Sequence, residues 1–209
     1  MDQIRWQKET ESEVFLIEEA TLKNNMKSSI RVVLVIACSI LSSCATVQQI
    51  HLKPRNAEEL NNRGFAHCQK GQYDQAISDF SEAIKANPQL APAYNNRGAA
   101  YLYKAQYDRA ISDLSKAIEI DPRLTQAYNN RGWAYIKKWQ YDLALSDFNK
   151  SMEIDPGFVE AYYHRAIVYF HLEEYDKSLS DVIKAQQLGY EIPLEFLDDL
   201  RKATGGVSA

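Results

Sequence analysis

Thiols and imidazoles are the side chains of this sequence that could act as nucleophiles or hold a metal ion. The cysteines, Cys38, Cys44 and Cys68, form no CxxC pair, and no histidine and carboxylate array accompanies Cys68 to activate it. His164 and His171 are seven residues apart, which on a helix is about 10 Å, too far to share one metal ion. No P-loop, GxSxG or HExxH string is present. The sequence therefore predicts a protein that is not an enzyme, with no catalytic residue, metal site, cofactor or small-molecule substrate.

Composition narrows the class of protein further. The 209 residues are 25% charged and 45% hydrophobic, the balance of a soluble globular chain of one or two domains. The net charge of −4 means that the sequence lacks the excess of basic residues that is typical of nucleic-acid-binding proteins.

Cys44 follows a segment with the order of a secretory signal. Lys27 and Arg31 precede a predominantly apolar stretch of ten residues, 32–41, about half the length that spans a bilayer as a helix. The string LSSC, which ends at Cys44, resembles the lipobox of bacterial lipoproteins, in which the cysteine thiol receives a diacylglycerol and the signal is cut just before it. The alternative is a buried apolar helix with incidental cysteines.

The resemblance implies a lipoprotein-type signal peptide over residues 26–43, followed by the lipidated Cys44 and a tether over residues 44–56. Residues 1–25 do not suit a signal, because they hold six acidic against three basic side chains. We therefore interpret Met26 as the true start and residues 1–25 as a doubtful N-terminal extension. The alternative is a genuine acidic extension beginning at Met1.

A 34-residue repeat fills the rest of the chain. The string NNRG begins at residues 61, 95 and 129, and a degenerate copy, YHRA, begins at residue 163. Three further features recur in phase: a Tyr-Asp pair, a large apolar residue and, in three units, a closing proline. The apolar positions hold Phe80, Leu114, Phe148 and Val182.

This pattern resembles the tetratricopeptide repeat (TPR), and the chain as a whole resembles bacterial envelope TPR lipoproteins. The resemblance implies an all-α fold, a right-handed superhelical solenoid of four helix hairpins over residues 57–90, 91–124, 125–158 and 159–192. The chain departs from the family at the Leu position, which holds an arginine in every repeat.

Apolar periodicity supports the same elements independently. Apolar residues from Ala76 to Ile84 recur on one face of a helix, and Asp74 is placed to cap its N-terminus. Residues 193–202 predict a capping helix with Leu194, Leu197 and Leu200 on one side, and residues 203–209 a disordered tail.

The repeated arginine and an aspartate sixteen residues later lie at equal distances from the turn of each hairpin. Two such residues share the same height in an antiparallel hairpin, so we predict structural ion pairs within or between hairpins. The rival interpretation is a row of arginines that binds an acidic partner. The pairs are Arg63 with Asp79, Arg97 with Asp113, Arg131 with Asp147, and Arg165 with Asp181.

In TPR proteins the first helix of each hairpin lines a groove that holds a peptide or helix of a partner. Paired asparagines in three repeats would offer an extended backbone a ladder of amide groups, although NNRG could also be a habit of this lineage. One known TPR groove clamps a carboxylate with Lys, Asn and Arg; here only Asn96 matches, so a chaperone-tail clamp is not expected. The matching groove positions are Asn61, Asn62, Phe65, Gln69, Asn95, Asn96, Ala99, Tyr103, Asn129, Asn130, Trp133, Lys137, Tyr163, His164, Ile167 and His171.

These features together predict a non-enzymatic protein–protein interaction scaffold, anchored by lipid in a bacterial cell envelope. Ala45 after the cysteine favours the periplasmic face of the outer membrane. The alternative is a soluble cytoplasmic TPR adaptor, or a regulatory subunit, whose apolar segment is merely structural.

Overall fold

The computed structural model describes residues 56–205. The expected extension, signal peptide, Cys44 and nearly all of the tether lie outside the described residues, as do the last four residues of the tail. Nine α-helices, and no strands, occupy the described part of the chain. They are α1 (Ala57–Gln69), α2 (Tyr73–Ala86), α3 (Ala91–Tyr103), α4 (Tyr107–Ile120), α5 (Thr125–Lys137), α6 (Tyr141–Ile154), α7 (Val159–His171), α8 (Tyr175–Gln187) and α9 (Leu194–Ala203).

The first eight helices form four consecutive hairpins, and each hairpin packs against the next. A large apolar side chain from each second helix fills the space inside its hairpin: Phe80, Leu114 and Phe148 are fully buried, and Val182 nearly so. The glycine of NNRG faces this side chain. A Cβ added at Gly98 would lie 2.7 Å from Leu114 Cγ, so only glycine permits the observed approach of the two helices.

The turn inside each hairpin uses one backbone arrangement. The residues after the first helices include one with positive φ, at Gly71, Ala105, Trp139 and Glu173. The next backbone N–H then donates to the carbonyl five residues earlier, as from Gln72 to His67 at 2.9 Å. This is a Schellman-type ending, which satisfies carbonyls that the helix leaves free.

A proline-containing turn separates one hairpin from the next. Asn87 precedes Pro88 and is extended, with φ −139° and ψ 95°, because a residue before proline avoids the helical region. Its Oδ1 accepts a hydrogen bond from the backbone N–H of Gln89 at 3.0 Å. Asp121 and Asp155 make the same Asx turn before the third and fourth hairpins.

Two expectations for helix ends are wrong. Asp74 does not cap α2, because it already lies inside the first turn, and its side chain pairs with Lys104 of the next hairpin. In α9, Leu200 is buried, but Leu194 is 79% exposed. Leu194 lies six residues before Leu200, which turns it about 120° around the helix, and Phe196 takes its place in the packing.

Among residues 56–205, no helix combines the length and the apolar character needed to cross a bilayer.

Candidate partner-binding groove

The first helices of the hairpins line a groove that encloses a cavity of about 440 Å³. Its lining comes from α1, α3 and α5, with Tyr73 and Phe80 from α2 and with Phe158 and Glu160 at the start of α7. Eight of the predicted groove residues line the cavity: Phe65, Gln69, Asn95, Asn96, Ala99, Tyr103, Asn129 and Asn130. The other eight do not: Asn61, Asn62, Trp133, Lys137, Tyr163, His164, Ile167 and His171.

Sequence reasoning missed several lining residues. Tyr73, Phe158 and Glu160 were not expected, because Tyr73 belongs to a second helix and the other two lie at a helix start. The 34-residue spacing does not indicate Tyr73, because Tyr107 and Tyr141 occupy the same position in later repeats and do not line this cavity.

The paired asparagines bond to one another between hairpins. Asn96 Nδ2 donates to Asn61 Oδ1 at 3.0 Å, and Asn130 Nδ2 donates to Asn95 Oδ1 at the same distance. His164 Nδ1 lies 2.9 Å from Asn129 Oδ1 and continues the series. Asn95 and Asn129 are each only 5% exposed. These bonds give the asparagines a structural role at the hairpin junctions. That the asparagines also bond the main chain of a ligand stays a prediction.

Each repeated arginine binds the aspartate of its own hairpin with two hydrogen bonds. In the second hairpin, Arg97 Nε and Nη2 donate to the two carboxylate oxygens of Asp113 at 2.7 and 2.8 Å. The other three pairs, at Arg63, Arg131 and Arg165, have the same geometry. The bonded carboxylate raises the pKa of each arginine above its ordinary value. The guanidinium groups are thus occupied within the hairpins, as a structural role requires.

The same arginines also reach the preceding hairpin. Nη1 of Arg97 and of Arg131 each donate at 3.0 Å to a serine hydroxyl, Ser81 and Ser115 respectively. Arg165 donates likewise to Asn149. The next such position, in the fourth hairpin, holds Ile183, which has no acceptor.

A lysine at the end of a first helix adds a further link at two junctions. Lys104 Nζ lies 2.5 Å from Asp74 Oδ1, and Lys138 pairs with Asp108 in the same way. The corresponding position of the fourth hairpin is Leu172, so the third junction lacks this link.

Aromatic rings form one wall of the cavity. The rings of Tyr73 and Tyr103 stack with their centroids 4.9 Å apart and an angle of 6° between planes. Tyr103 is 72% exposed and Phe65 is 52% exposed, so both rings present apolar surface to the groove. Trp133 instead packs between His164 and Lys137, at 4.7 and 4.5 Å.

Burial shifts the pKa of His164 and of Cys68, which both lie on first helices of hairpins. Burial lowers the pKa of His164 from 6.5 to about 4, so its ring is neutral at pH 7. Burial also raises the pKa of the Cys68 thiol, which disfavours the reactive thiolate. Nowhere in residues 56–205 do three or more His, Cys, Asp or Glu side chains converge as a metal site would require.

Family models described as tetratricopeptide repeat match residues 91–124 and 125–158, and one described as TPR repeat matches residues 64–104. Among solved structures, the Arabidopsis OM64 TPR domain is 30% identical with a TM-score of 0.54, and the match covers 55% of this chain and 95% of that chain. MamA is 25% identical with a TM-score of 0.60, over 68% of this chain and 82% of that chain. The first TPR of Spaghetti (RPAP3), solved bound to the HSP90 peptide SRMEEVD, is 27% identical with a TM-score of 0.55, over 59% and 98%. No curated protein matches the sequence.

Proposed function

The chain belongs to the tetratricopeptide repeat family, whose repeats are protein-interaction modules, and we propose that it serves as such a module. In this proposal the protein is a non-enzymatic scaffold that holds a segment of a partner protein in its groove. We further propose that a lipid on Cys44 anchors this scaffold at a bacterial cell envelope, with the outer membrane facing the periplasm as the favoured site.

The exposed aromatic wall is the observation that carries the binding proposal. Phe65 and Tyr103 are large rings that the fold leaves half or more exposed, and both line one cavity. Such rings become binding hot spots when a partner removes them from water. The related Spaghetti domain, solved with a bound peptide, supports the same use of this fold.

Substitution of these two rings tests the groove. Phe65→Ala with Tyr103→Ala should reduce recovery of a crosslinked partner from solubilised envelope, because the apolar contact area is lost. Neither ring belongs to the buried core, so helix content and thermal unfolding should stay nearly unchanged. Leu194→Ala, which truncates an apolar side chain that is 79% exposed on α9, is the matched control. Equal recovery by the double variant and the control would refute binding through this groove.

Cys44→Ser tests the anchor. Since the thiol would carry the diacylglycerol, this substitution should prevent lipidation and cleavage, and leave a precursor of higher mass without the acyl chains. Intact-mass measurement and detergent phase partitioning provide the readout. If the variant matures to the same mass as the original and stays in the detergent phase, the lipobox interpretation is wrong.

Cell fractionation separates the envelope scaffold from the alternative. An anchored protein should sediment with outer-membrane vesicles, whereas a cytoplasmic adaptor or regulatory subunit should remain in the soluble fraction. Peptide mapping of the mature N-terminus also decides between Met1, Met26 and Cys44 as the first residue.

A further inference from the structure

We propose that the groove selects a basic partner segment, an extended chain that carries an arginine or lysine together with an apolar side chain, and that it excludes acidic peptides. This inference rests on the proposed function and specifies the chemistry of the partner.

The charge of the lining is the first step. Of the residues that line the cavity, Glu160 is the one with a charged side chain, and no lysine or arginine is among them. A carboxylate in the lining of the cavity attracts a cationic side chain and repels an anionic one.

Three cations of the hairpins that line the groove are already paired with carboxylates. Arg97 and Arg131 are held by Asp113 and Asp147 in bidentate pairs, with side chains only 19% exposed. Lys104, next to Tyr103 in the chain, pairs with Asp74 at 2.5 Å. An acidic segment in the groove would therefore meet no unpaired positive partner among the lining residues.

The aromatic wall suits the same ligand class. The parallel stack of Tyr73 and Tyr103 presents a ring face, and Phe65 adds a second apolar surface in the same cavity. Ring faces carry partial negative charge and attract guanidinium and ammonium groups, while the aliphatic stem of the same side chain covers apolar surface.

Two amides remain to hold the main chain of the partner. The side-chain amides of Gln69 and Gln126 line the cavity and have no hydrogen-bond partner within the described residues, whereas Asn95, Asn96 and Asn130 bond across junctions. A primary amide both donates and accepts, so these glutamines can bond a backbone without reading its side chains.

Selection from a phage-displayed library of random dodecapeptides, with the full-length chain as bait, tests the inference. Enriched peptides should combine arginine or lysine with an apolar residue and carry a net positive charge. The best of them, synthesised with a fluorophore, should bind Glu160→Gln roughly three- to tenfold more weakly, and Glu160→Lys more weakly still, by fluorescence anisotropy. Glu82→Gln removes an exposed carboxylate of α2 outside the groove lining and should leave the affinity unchanged.

The peptide SRMEEVD serves as the acidic probe, and its binding is measured on the unsubstituted protein. It should not bind the original chain measurably under conditions in which the selected peptide saturates. Enrichment of acidic peptides, binding of SRMEEVD, or equal binding by the Glu160 and Glu82 variants would overturn the basic selectivity and leave the peptide-binding groove standing. Failure to enrich any peptide that depends on Phe65 and Tyr103 would overturn both proposals.

Discussion

Replacing the Arg97–Asp113 pair, singly and together, tests what the repeated arginines contribute to stability. Asp113 is 8% exposed and accepts two hydrogen bonds from Arg97, which also donates to Ser81 of the preceding hairpin. Arg97→Leu removes all three bonds and leaves a buried carboxylate without a cation. Removing one partner of a buried pair costs about 3–5 kcal/mol, and the partial exposure of Arg97 places this case near 3 kcal/mol.

The reverse single change should cost less. In Asp113→Leu, the guanidinium keeps its bond to Ser81 and can turn toward water, so we expect a loss of about 2 kcal/mol. The double Leu variant leaves no buried charge. It loses the Ser81 bond and the contact of Arg97 with the Tyr94 ring, together about 1 kcal/mol. The double variant should thus be more stable than either single variant.

Urea unfolding followed by far-UV circular dichroism measures these differences. Lys116 and Glu119, an exposed pair on α4, give the matched control, and Leu at either position should change stability by less than about 0.5 kcal/mol. A double variant of Arg97 and Asp113 that is as unstable as Arg97→Leu would refute the reasoning, since it would show that packing or the Ser81 bond dominates.

Three further substitutions test other features. Ser151→Ala should raise the free energy of unfolding by about 1 kcal/mol, because the Ser151 hydroxyl is buried without a partner in the described part of the chain; lower stability would contradict this. Gly98→Ala should lower it by about 1–3 kcal/mol by pressing a Cβ onto Leu114, and an unchanged melting temperature would refute that close approach. The pKa of His164 is about 4 in the folded protein and 6.5 in the unfolded chain. As the pH falls, the unfolded chain therefore binds a proton at this histidine before the folded protein does. The free energy of unfolding should therefore be highest above about pH 7 and should fall by up to about 3 kcal/mol as the pH is lowered to 4. In His164→Gln, this contribution to the pH dependence should be absent.

The sequence alone was sufficient to predict the hairpins and the ion pairs, because both follow from geometry within one repeat. A 34-residue period with one apolar face per helix allows few structures other than stacked hairpins. Once the turn is located, residues equidistant from it must face each other, which places Arg97 beside Asp113. Both predictions depend on geometry inside one repeat.

Contacts between repeats were harder to predict. Asn95 and Asn96 are neighbours of the same type, and the sequence does not tell which one turns inward. The structure buries Asn95 and uses it as the acceptor for Asn130, 35 residues later. The rotation of one hairpin on the next decides this, and packing of whole helices sets that rotation. The same limit explains why Tyr73 and Glu160 were not expected in the groove.

The junction chemistry also bears on how such an array can change its length in evolution. Each of the first three hairpins carries donors on its first helix and matching acceptors on its second, so an in-frame tandem copy of one unit creates new junctions with both halves present. A copy added after the fourth hairpin would meet Ile183 where Ser81, Ser115 and Asn149 provide acceptors elsewhere. An added copy inside the array would therefore keep the arginine bond at its junctions, whereas a copy after the fourth hairpin would lack the acceptor that Ser81, Ser115 and Asn149 provide.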